Sequence, residues 1–292
     1  MKRERTSDRA FKSALSLVGI AVSVLLIAIF LSLVLASRPA LLANGFRFLT
    51  GSEWDAVTNS FHSLAFLVGT LLTSLIALVI GTILALALSV LMGEYFKTGP
   101  FAAVMQTAVE LLAGIPSVVY GFIGLFFFVP AVRVLQEVLG LPPFGVGIFT
   151  SALLLAFMIL PYSASIGREM IGLVPSDLKE AALSLGTTSS EMVWKVTLPY
   201  ARSGILGGVL LSLGRALGET MAVTMVIGNA NTLTFNILAP GNTMASVIAN
   251  EFSEASTNLY LASLIEIGLL LFVVSTIINI LGKIVVNRMA TA

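Results

Sequence analysis

The chain has 292 residues, of which 57% are hydrophobic and only 11% are charged. A soluble domain of this length would need far more polar surface, so the composition predicts an integral membrane protein. The net charge of +1 gives no sign of a nucleic-acid-binding surface, and we expect no nucleic-acid partner. The absence of cysteine excludes a disulfide framework and a thiol nucleophile, and the single histidine, His62, excludes a multi-histidine metal site.

Apolar runs predict six membrane-spanning helices and therefore an all-α fold. The first run has 23 residues, which suffices to cross a hydrocarbon core about 30 Å thick, whereas the core of a signal peptide has about 7–15 residues. We therefore favour an uncleaved first helix, with a signal peptide cleaved near Ala36 as the alternative. The predicted spans are residues 14–36, 64–92, 102–132, 146–166, 204–228 and 262–286.

Between these spans, we expect a loop over residues 133–145 and a long polar connection over residues 229–261. Within the third span, Pro116 lacks a backbone N–H group, and we expect it to kink the helix.

Lysine and arginine placement predicts the orientation. With the N-terminus inside, twelve of these residues fall in inner segments and three in outer loops. Because cytoplasmic loops carry the excess of positive charge, both termini and the loop over residues 167–203 are expected in the cytoplasm. The inner residues are Lys2, Arg3, Arg5, Arg9, Lys12, Lys97, Arg168, Lys179, Lys195, Arg202, Lys283 and Arg288, and the outer ones are Arg38, Arg47 and Arg133.

The loop over residues 167–203 is predicted to contain two short helices joined at Gly186. Asp177 with Glu180, and Thr188 with Glu191, have the spacing of capping boxes. Gly186 lies where a helix would end in a left-handed turn, and Pro199 either ends the second helix or opens the next. The alternative is an ordinary amphipathic loop lying on the bilayer surface.

Arg215 and Glu219 place charge inside the predicted fifth span. Arg215 lies eleven residues into it, at a depth of about 16 Å, and Glu219 follows four residues later on the same face. Each charge costs roughly 2.5–3.5 kcal/mol at a helix centre, so both should face the bundle interior. Either the two form an ion pair that fixes packing, or Arg215 offers donors to an oxyanion in transit.

Four glycines in the same span form two small-xxx-small pairs, Gly204 with Gly208 and Gly214 with Gly218. Such pairs let helices approach closely, so we expect them to serve packing rather than substrate contact.

The 167–203 loop resembles the EAA loop of ABC-importer permeases. The matching residues are Glu180-Ala181-Ala182, Gly186, and Leu198-Pro199, with Val196 where isoleucine is usual. The resemblance implies that this loop seats in a groove of an ATP-binding subunit. The small alanines, Ala181 and Ala182, would allow close packing against that subunit.

Four segments extend the resemblance to the PstC-type permeases of bacterial phosphate importers, from about residue 60 to residue 290. They are GTLLTSLIAL (69–78), AGIPSVVYGF (113–122), MILPYSASIGREM (158–170) and, most specifically, GRALGETMAVTMVIGN (214–229). The resemblance implies a type I ABC importer permease of MetI-like architecture in the bacterial inner membrane. Residues 1–60 would form an N-terminal segment, first helix and external loop, and residues 61–290 the permease domain.

The resemblance also implies a set of partners. They are a PstA-type sister permease, a dimer of PstB-type ATP-binding subunits, and an external PstS-type phosphate-binding protein facing residues 229–261. This chain would be a transport subunit and not an enzyme. It would bind no cofactor itself, because ATP and Mg²⁺ belong to the ATP-binding subunits.

Three alternatives to a phosphate importer stay open. The same machinery could carry another oxyanion, because Arg215 alone does not distinguish phosphate from sulfate. A secondary transporter or channel could instead use Glu110, Glu219 and Glu266 as proton sites. A membrane-embedded enzyme is the third, although the sequence has no G-x-x-x-x-G-K-[ST] nucleotide loop.

Overall fold

The computed structural model describes residues 6–290, with side chains described for residues 11–289. Lys2, Arg3 and Arg5, which entered the charge count, lie outside the described residues. Six helices in the described part are long and apolar enough to cross a membrane, in agreement with the predicted number. They are Phe11–Asn44, Leu64–Tyr95, Ser117–Val138, Ile148–Gly172, Ser189–Leu217 and Asn258–Met289.

The first half of the chain contains α1 (Thr6–Asn44), α2 (Arg47–Thr50), a hairpin of β1 (Trp54–Asp55) and β2 (Ser60–Phe61), α3 (Leu64–Val90), α4 (Pro100–Gly114), α5 (Ser117–Ile123) and α6 (Val129–Val138). The second half contains α7 (Ile148–Gly172), α8 (Ser176–Ser184), α9 (Ser189–Met192), α10 (Leu198–Leu217), α11 (Met221–Val226), α12 (Met244–Glu251) and α13 (Asn258–Ala290). Three π-helical turns follow helices directly: Leu91–Tyr95 ends the α3 span, Gly124–Phe128 joins α5 to α6, and Val193–Thr197 joins α9 to α10.

Helix α7 lies at the centre of the bundle and packs against α3 on one side and α10 on another. Small residues permit the close approach. A Cβ atom on Gly81 of α3 would lie 2.9 Å from the Ile159 side chain, and one on Gly208 of α10 would lie 2.9 Å from Ile166. Without a hydrophobic force between helices in lipid, such close packing supplies much of the association energy. Helix α1 stays at the periphery, where it packs against α13 and places Phe30 5.6 Å from Phe272.

The two ends of the bundle differ. One end, which we call the α8 end, carries α8, α9 and the first π-helical turn. The opposite end, the hairpin end, carries β1 and β2, α2, α12 and the loop over residues 229–243. There the carboxylate of Glu251 accepts hydrogen bonds from Trp54 (2.6 Å), Tyr260 (2.6 Å) and Asn231 (2.8 Å). This carboxylate therefore joins the hairpin, α13 and the loop.

The third predicted span is broken rather than kinked, which corrects the expectation for Pro116. Helix α4 ends at Gly114, and Ile115 and Pro116 are extended, with ψ angles of 128° and 143°. The residue before a proline avoids the α region because of a clash with the proline ring, so the helix stops one residue earlier. After the break, the helix continues to Val138, so Arg133 lies on α6 and not in the loop that we expected.

The fifth predicted span is also broken. Helix α10 ends at Leu217, residues 218–220 are not helical, and α11 begins at Met221. Because the helix ends before Glu219, the expectation that Glu219 continues the helical face of Arg215 is wrong. The carboxylate of Glu219 instead accepts a hydrogen bond from the Ala222 N–H (3.5 Å), at the start of the next helix.

The connection predicted over residues 229–261 is more ordered than expected. It contains α12, which begins with a capping box between Thr243 and Ser246, and it includes the first turn of α13.

Candidate functional site

Arg215 lies level with the middle of the bundle. Its guanidinium carbon is 4.8 Å from the centroid of the Tyr162 ring. Tyr162 is fourteen residues from the start of α7 and ten from its end, or about 21 Å and 15 Å along the helix axis. This contact places Arg215 level with the middle of the membrane-spanning helix α7, even though α10 ends only two residues later.

The break in the third span holds the Tyr162 ring in place. The hydroxyl of Tyr162 donates to the Ala113 carbonyl (3.1 Å), and the hydroxyl of Tyr120 donates to the Leu112 carbonyl (2.8 Å). Both carbonyls lie in the last turn of α4; the Leu112 carbonyl also accepts a hydrogen bond from the Ile115 N–H (3.4 Å), whereas the Ala113 carbonyl lies where intrahelical partners are missing. The two tyrosine hydroxyls therefore donate hydrogen bonds to carbonyls at the end of α4, and the ring of Tyr162 also contacts the Arg215 guanidinium.

Helices α7 and α10 are joined one turn away from this contact. The hydroxyls of Ser163 and Ser212 are 2.6 Å apart. Gly204 and Gly208 pack directly against Met170 and Ile166 of α7, as the first small-xxx-small pair predicts.

The second small-xxx-small pair does not pack in this way. A Cβ atom on Gly214 would have its nearest neighbour 3.5 Å away, on Asn279, and one on Gly218 would lie 3.9 Å from the Gly214 carbonyl oxygen. The expectation of close packing is therefore wrong for this pair within the described chain.

The structure does not form the ion pair considered between Arg215 and Glu219. Within the described part of the chain, no carboxylate lies at salt-bridge distance from Arg215, and its side chain is exposed on the surface of this single subunit. A ring contact occupies one face of the guanidinium but leaves its in-plane N–H donors available. Those donors match the geometry of an oxyanion such as phosphate.

The 167–203 segment forms the predicted pair of short helices, α8 and α9. Gly186 has φ +86°, the left-handed conformation that glycine adopts without steric cost. The capping box between Thr188 and Glu191 is confirmed. The one between Asp177 and Glu180 is wrong, because α8 already begins at Ser176, directly after Pro175.

Exposed residues of the EAA motif face outward from the α8 end. Glu180, Ala181, Gly186 and Pro199 are exposed, and Leu198 is half-buried. Ala182 is instead buried against Met192 and Val193 within the segment itself, so only Ala181 of the two alanines is available to a partner. Pro199 lies in the first turn of α10 and thus opens that helix.

Two large apolar side chains near the motif are also exposed. Leu185, beside Gly186, has 86% of its surface accessible, and Trp194 has 67%. Exposed apolar groups at the tip of a polar segment are typical of a surface that binds another protein.

Sequence reasoning missed Tyr162 and Tyr120, although both lie within segments quoted for the resemblance. The signal for Tyr120 was its position four residues after the proline at the break. Tyr162 lies within the continuous helix α7 and gave no such signal, because only the fold brings it near its partner on α4. Sequence reasoning also missed a buried contact between Glu94 and Lys179, which are 85 residues apart in the chain.

Comparison with known families identifies the fold. Residues 85–291 match the family described as binding-protein-dependent transport system inner membrane component. The chain belongs to this family. The permease is 42% identical over 303 aligned residues to the phosphate transport system permease protein PstC of Mesorhizobium japonicum, covering 99% of this chain and 92% of that one. It is 40% identical to the PstC protein of Pasteurella multocida, covering 95% and 91%.

Solved structures agree on the architecture. An inward-facing structure of the MetNI methionine ABC transporter aligns with a TM-score of 0.56 and 18% identity, covering 76% of the permease and 93% of that chain. A crystal structure of an amino acid ABC transporter with histidines gives a TM-score of 0.52 and 22% identity, covering 77% and 92%. The predicted all-α, MetI-like permease fold is therefore confirmed, and the permease is a multi-pass inner-membrane protein.

Proposed function

We propose that the permease is a membrane-spanning subunit of an ATP-driven phosphate importer and forms half of the translocation path. The observation that carries the proposal is Arg215, stacked on Tyr162 at mid-membrane depth with no carboxylate partner in the described chain. An unpaired guanidinium at this depth attracts an anion and presents several N–H donors to its oxygens. The relatives at about 40% identity, which are named as phosphate transport permeases, favour phosphate over other oxyanions.

A second permease would complete the path. Arg215 is exposed on the surface of the single chain, where a charged side chain in lipid would be costly. A PstA-type sister subunit covering this face would enclose Arg215 in a polar channel between the two subunits. Glu219, at the start of the segment leading into α11, lies close enough in sequence to exchange with the anion for Arg215 as the helices move.

The remaining partners would bind at the two ends of the bundle. A PstB-type ATP-binding subunit, which carries ATP and Mg²⁺ and performs the hydrolysis, would seat on the exposed motif residues and on Leu185. A PstS-type phosphate-binding protein would dock at the hairpin end, over residues 229–243. In this proposal the α8 end and both termini lie in the cytoplasm, in keeping with the positive-inside pattern.

The mechanism we infer is alternating access. The binding protein releases phosphate at the hairpin end, and ATP binding closes the ATP-binding dimer and moves the α8–α9 segment. The helices then tilt, the path opens to the other side, and phosphate passes Arg215. This chain contributes binding, orientation and movement, and no covalent step.

The test is uptake of labelled phosphate into proteoliposomes holding the complete importer, with the binding protein outside and ATP inside. Arg215→Gln should abolish uptake while the complex stays assembled. Arg202→Gln is the matched control, because it removes the same charge from the same helix thirteen residues earlier and should leave uptake nearly unchanged.

Three results would contradict the proposal. Full phosphate uptake by the Arg215→Gln importer would show that Arg215 serves helix packing and not the anion path. Uptake by the unmodified importer without ATP would indicate a secondary transporter. Preferential uptake of sulfate over phosphate would keep the ATP-driven machinery but change its cargo.

A further inference from the structure

A buried ion pair connects the α8 end to the membrane helices. The Lys179 ammonium lies 2.6 Å from a carboxylate oxygen of Glu94, and the two side chains are only 10% and 9% exposed. Lys179 directly precedes the motif residue Glu180 on α8, and Glu94 lies in the π-helical turn that ends the α3 span. This pair therefore joins the proposed ATPase-binding helix to the second membrane span.

The surroundings of the pair make it rigid. The Lys179 ammonium is also 3.5 Å from the Ile171 carbonyl oxygen of α7. Gly93, beside Glu94, packs so closely that a Cβ atom there would lie 2.8 Å from the Ile171 side chain. Three elements thus meet at one buried contact, and the lysine stem and the carboxylate have little freedom to rearrange.

Stability alone does not account for a buried charge pair in this place. Removing two charges from water is costly, and a well-packed apolar pair of similar volume is often equally stable. In some proteins a buried ion pair instead fixes the relative position of the two elements that carry the charges. The same segment holds a second lysine–glutamate pair, Lys195 with Glu191 at 2.9 Å, but those side chains are 66% and 44% exposed.

Glu94 also contacts the short connection that leads into α4. Its other carboxylate oxygen accepts from Lys97 at 3.1 Å, three residues before α4 begins. The far end of α4 carries the Ala113 carbonyl, which accepts the hydroxyl of Tyr162, and Tyr162 in turn lies under Arg215. A continuous chain of contacts therefore runs from α8 through Glu94 and α4 to the arginine.

We propose that Glu94 is a positioning residue that transmits movement of α8 to α3 and α4, and through α4 to the contact between Tyr162 and Arg215. The inference rests on the proposed function, because it assigns the route by which ATP-driven movement reaches the anion path. A cavity of about 710 Å³ beside the pair, lined by Lys97, Arg168 and Lys179 among others, leaves room for α8 to shift together with the connection that carries Lys97 and leads into α4.

The test compares variants of the pair in the complete importer. Glu94→Gln and Lys179→Met each break the pair, and the exchange Glu94→Lys with Lys179→Glu restores it with the charges reversed. Lys195→Gln is the matched control, because it removes a lysine from an exposed pair in the same segment. The readouts are retention of the ATP-binding subunit, ATP hydrolysis, and phosphate transported per ATP hydrolysed.

A fourth readout follows movement at Arg215 directly. The chain has no cysteine, so a single cysteine can report local access. Gly218 suits this purpose because it lies in the break after α10 and a Cβ atom there would meet nothing closer than 3.9 Å. Thiol labelling of Gly218→Cys is measured with and without a non-hydrolysable ATP analogue.

We expect Glu94→Gln and Lys179→Met to keep the ATP-binding subunit and hydrolyse ATP, while phosphate transported per ATP falls about tenfold. In both variants, the labelling of Gly218→Cys should no longer respond to the ATP analogue. The charge exchange should recover at least part of the phosphate transported per ATP and of the labelling response to the ATP analogue. Lys195→Gln should match the unmodified importer in both readouts.

Unchanged transport per ATP in Glu94→Gln would overturn the inference. Loss of assembly in both single variants that the charge exchange does not reverse would also overturn it, because Glu94 would then serve folding alone. These failures are distinguishable from failure of the proposed function, in which the unmodified importer itself would show no ATP-dependent uptake.

Discussion

Replacing Gly167 with alanine should disrupt the contact between α7 and α3. A Cβ atom at position 167 would overlap the Ser89 hydroxyl and lie 2.8 Å from the Ser89 Cβ atom. That hydroxyl donates to the Ala85 carbonyl of its own helix (2.6 Å) and to the Ala164 carbonyl of α7 (3.1 Å). The added methyl must therefore displace Ser89, separate the helices, or do both.

The size of the effect follows from these contacts. Overpacking a well-filled interior costs typically 1–3 kcal/mol, and the lost interhelical hydrogen bond adds roughly 0.6 kcal/mol in a membrane protein. A total of about 1.6–3.6 kcal/mol lowers the melting temperature by roughly 3–14 °C, at about 2–4 °C per kcal/mol for large single domains. The change in melting temperature is measured by thermal unfolding in detergent, followed by tryptophan fluorescence.

Three further variants separate the contributions. Gly172→Ala is the control, since it lies at the end of the same helix and a Cβ atom there would meet nothing within 4 Å. Ser89→Ala should lose only the hydrogen bond, and Ser89→Gly should rescue much of the Gly167→Ala defect by removing the overlapping atoms. Equal melting temperatures for Gly167→Ala and Gly172→Ala would refute the close approach of α3 and α7 at this point.

Three shorter predictions concern the two ends of the bundle. Gly186→Ala should weaken binding of the ATP-binding subunit about tenfold, because an alanine in the left-handed conformation costs roughly 1–2 kcal/mol. Gly186→Asn should weaken this binding less. If the two variants co-purified equal amounts of the ATP-binding subunit, this reasoning would be contradicted. Thr188→Ala removes the cap that accepts the Glu191 N–H and should destabilise α9 by about 1 kcal/mol, measured as faster hydrogen exchange there. Glu251→Gln should loosen the hairpin, because a glutamine amide cannot accept all three hydrogen bonds that the Glu251 carboxylate accepts. The loosening should appear as a shift in Trp54 fluorescence, and an unchanged spectrum would argue against this hydrogen-bond network.

Local signals predicted the number of spans and the form of the 167–203 segment. Long apolar runs require helices in lipid, since every backbone group must find a partner within the segment. The turn at Gly186 and the cap at Thr188 depend on residues within a few positions of each other. The cap expected at Asp177 was wrong, because Pro175 precedes the helix and α8 begins at Ser176, two residues before a cap at Asp177 would allow.

The breaks in the third and fifth spans were not predictable in the same way, because the apolar pattern continues through both. The sequence shows Pro116 and therefore an interruption of the helix. Whether the interruption is a kink or a break depends on whether the carbonyls at the end of the preceding helix find other hydrogen-bond donors. Here the partners are the hydroxyls of Tyr120 and Tyr162, and the second comes from a different helix, 49 residues from its acceptor. Only the tertiary fold brings that donor to the break, so the sequence alone favoured the milder outcome.

The break after Leu217 explains how Arg215 can lie at mid-membrane without a carboxylate. At the centre of an unbroken helix its charge would cost roughly 2.5–3.5 kcal/mol. In the last turn of α10 it lies beside carbonyls that have no intrahelical partner, and a cation at such a helix end is stabilised by about 0.3–1 kcal/mol, or up to about 2 where partly buried. The Tyr162 ring adds about 0.5–2 kcal/mol. Together these neutral groups offset much of the cost. Because neither carries a negative charge, the guanidinium keeps its full attraction for an anion, which pairing with Glu219 would have cancelled.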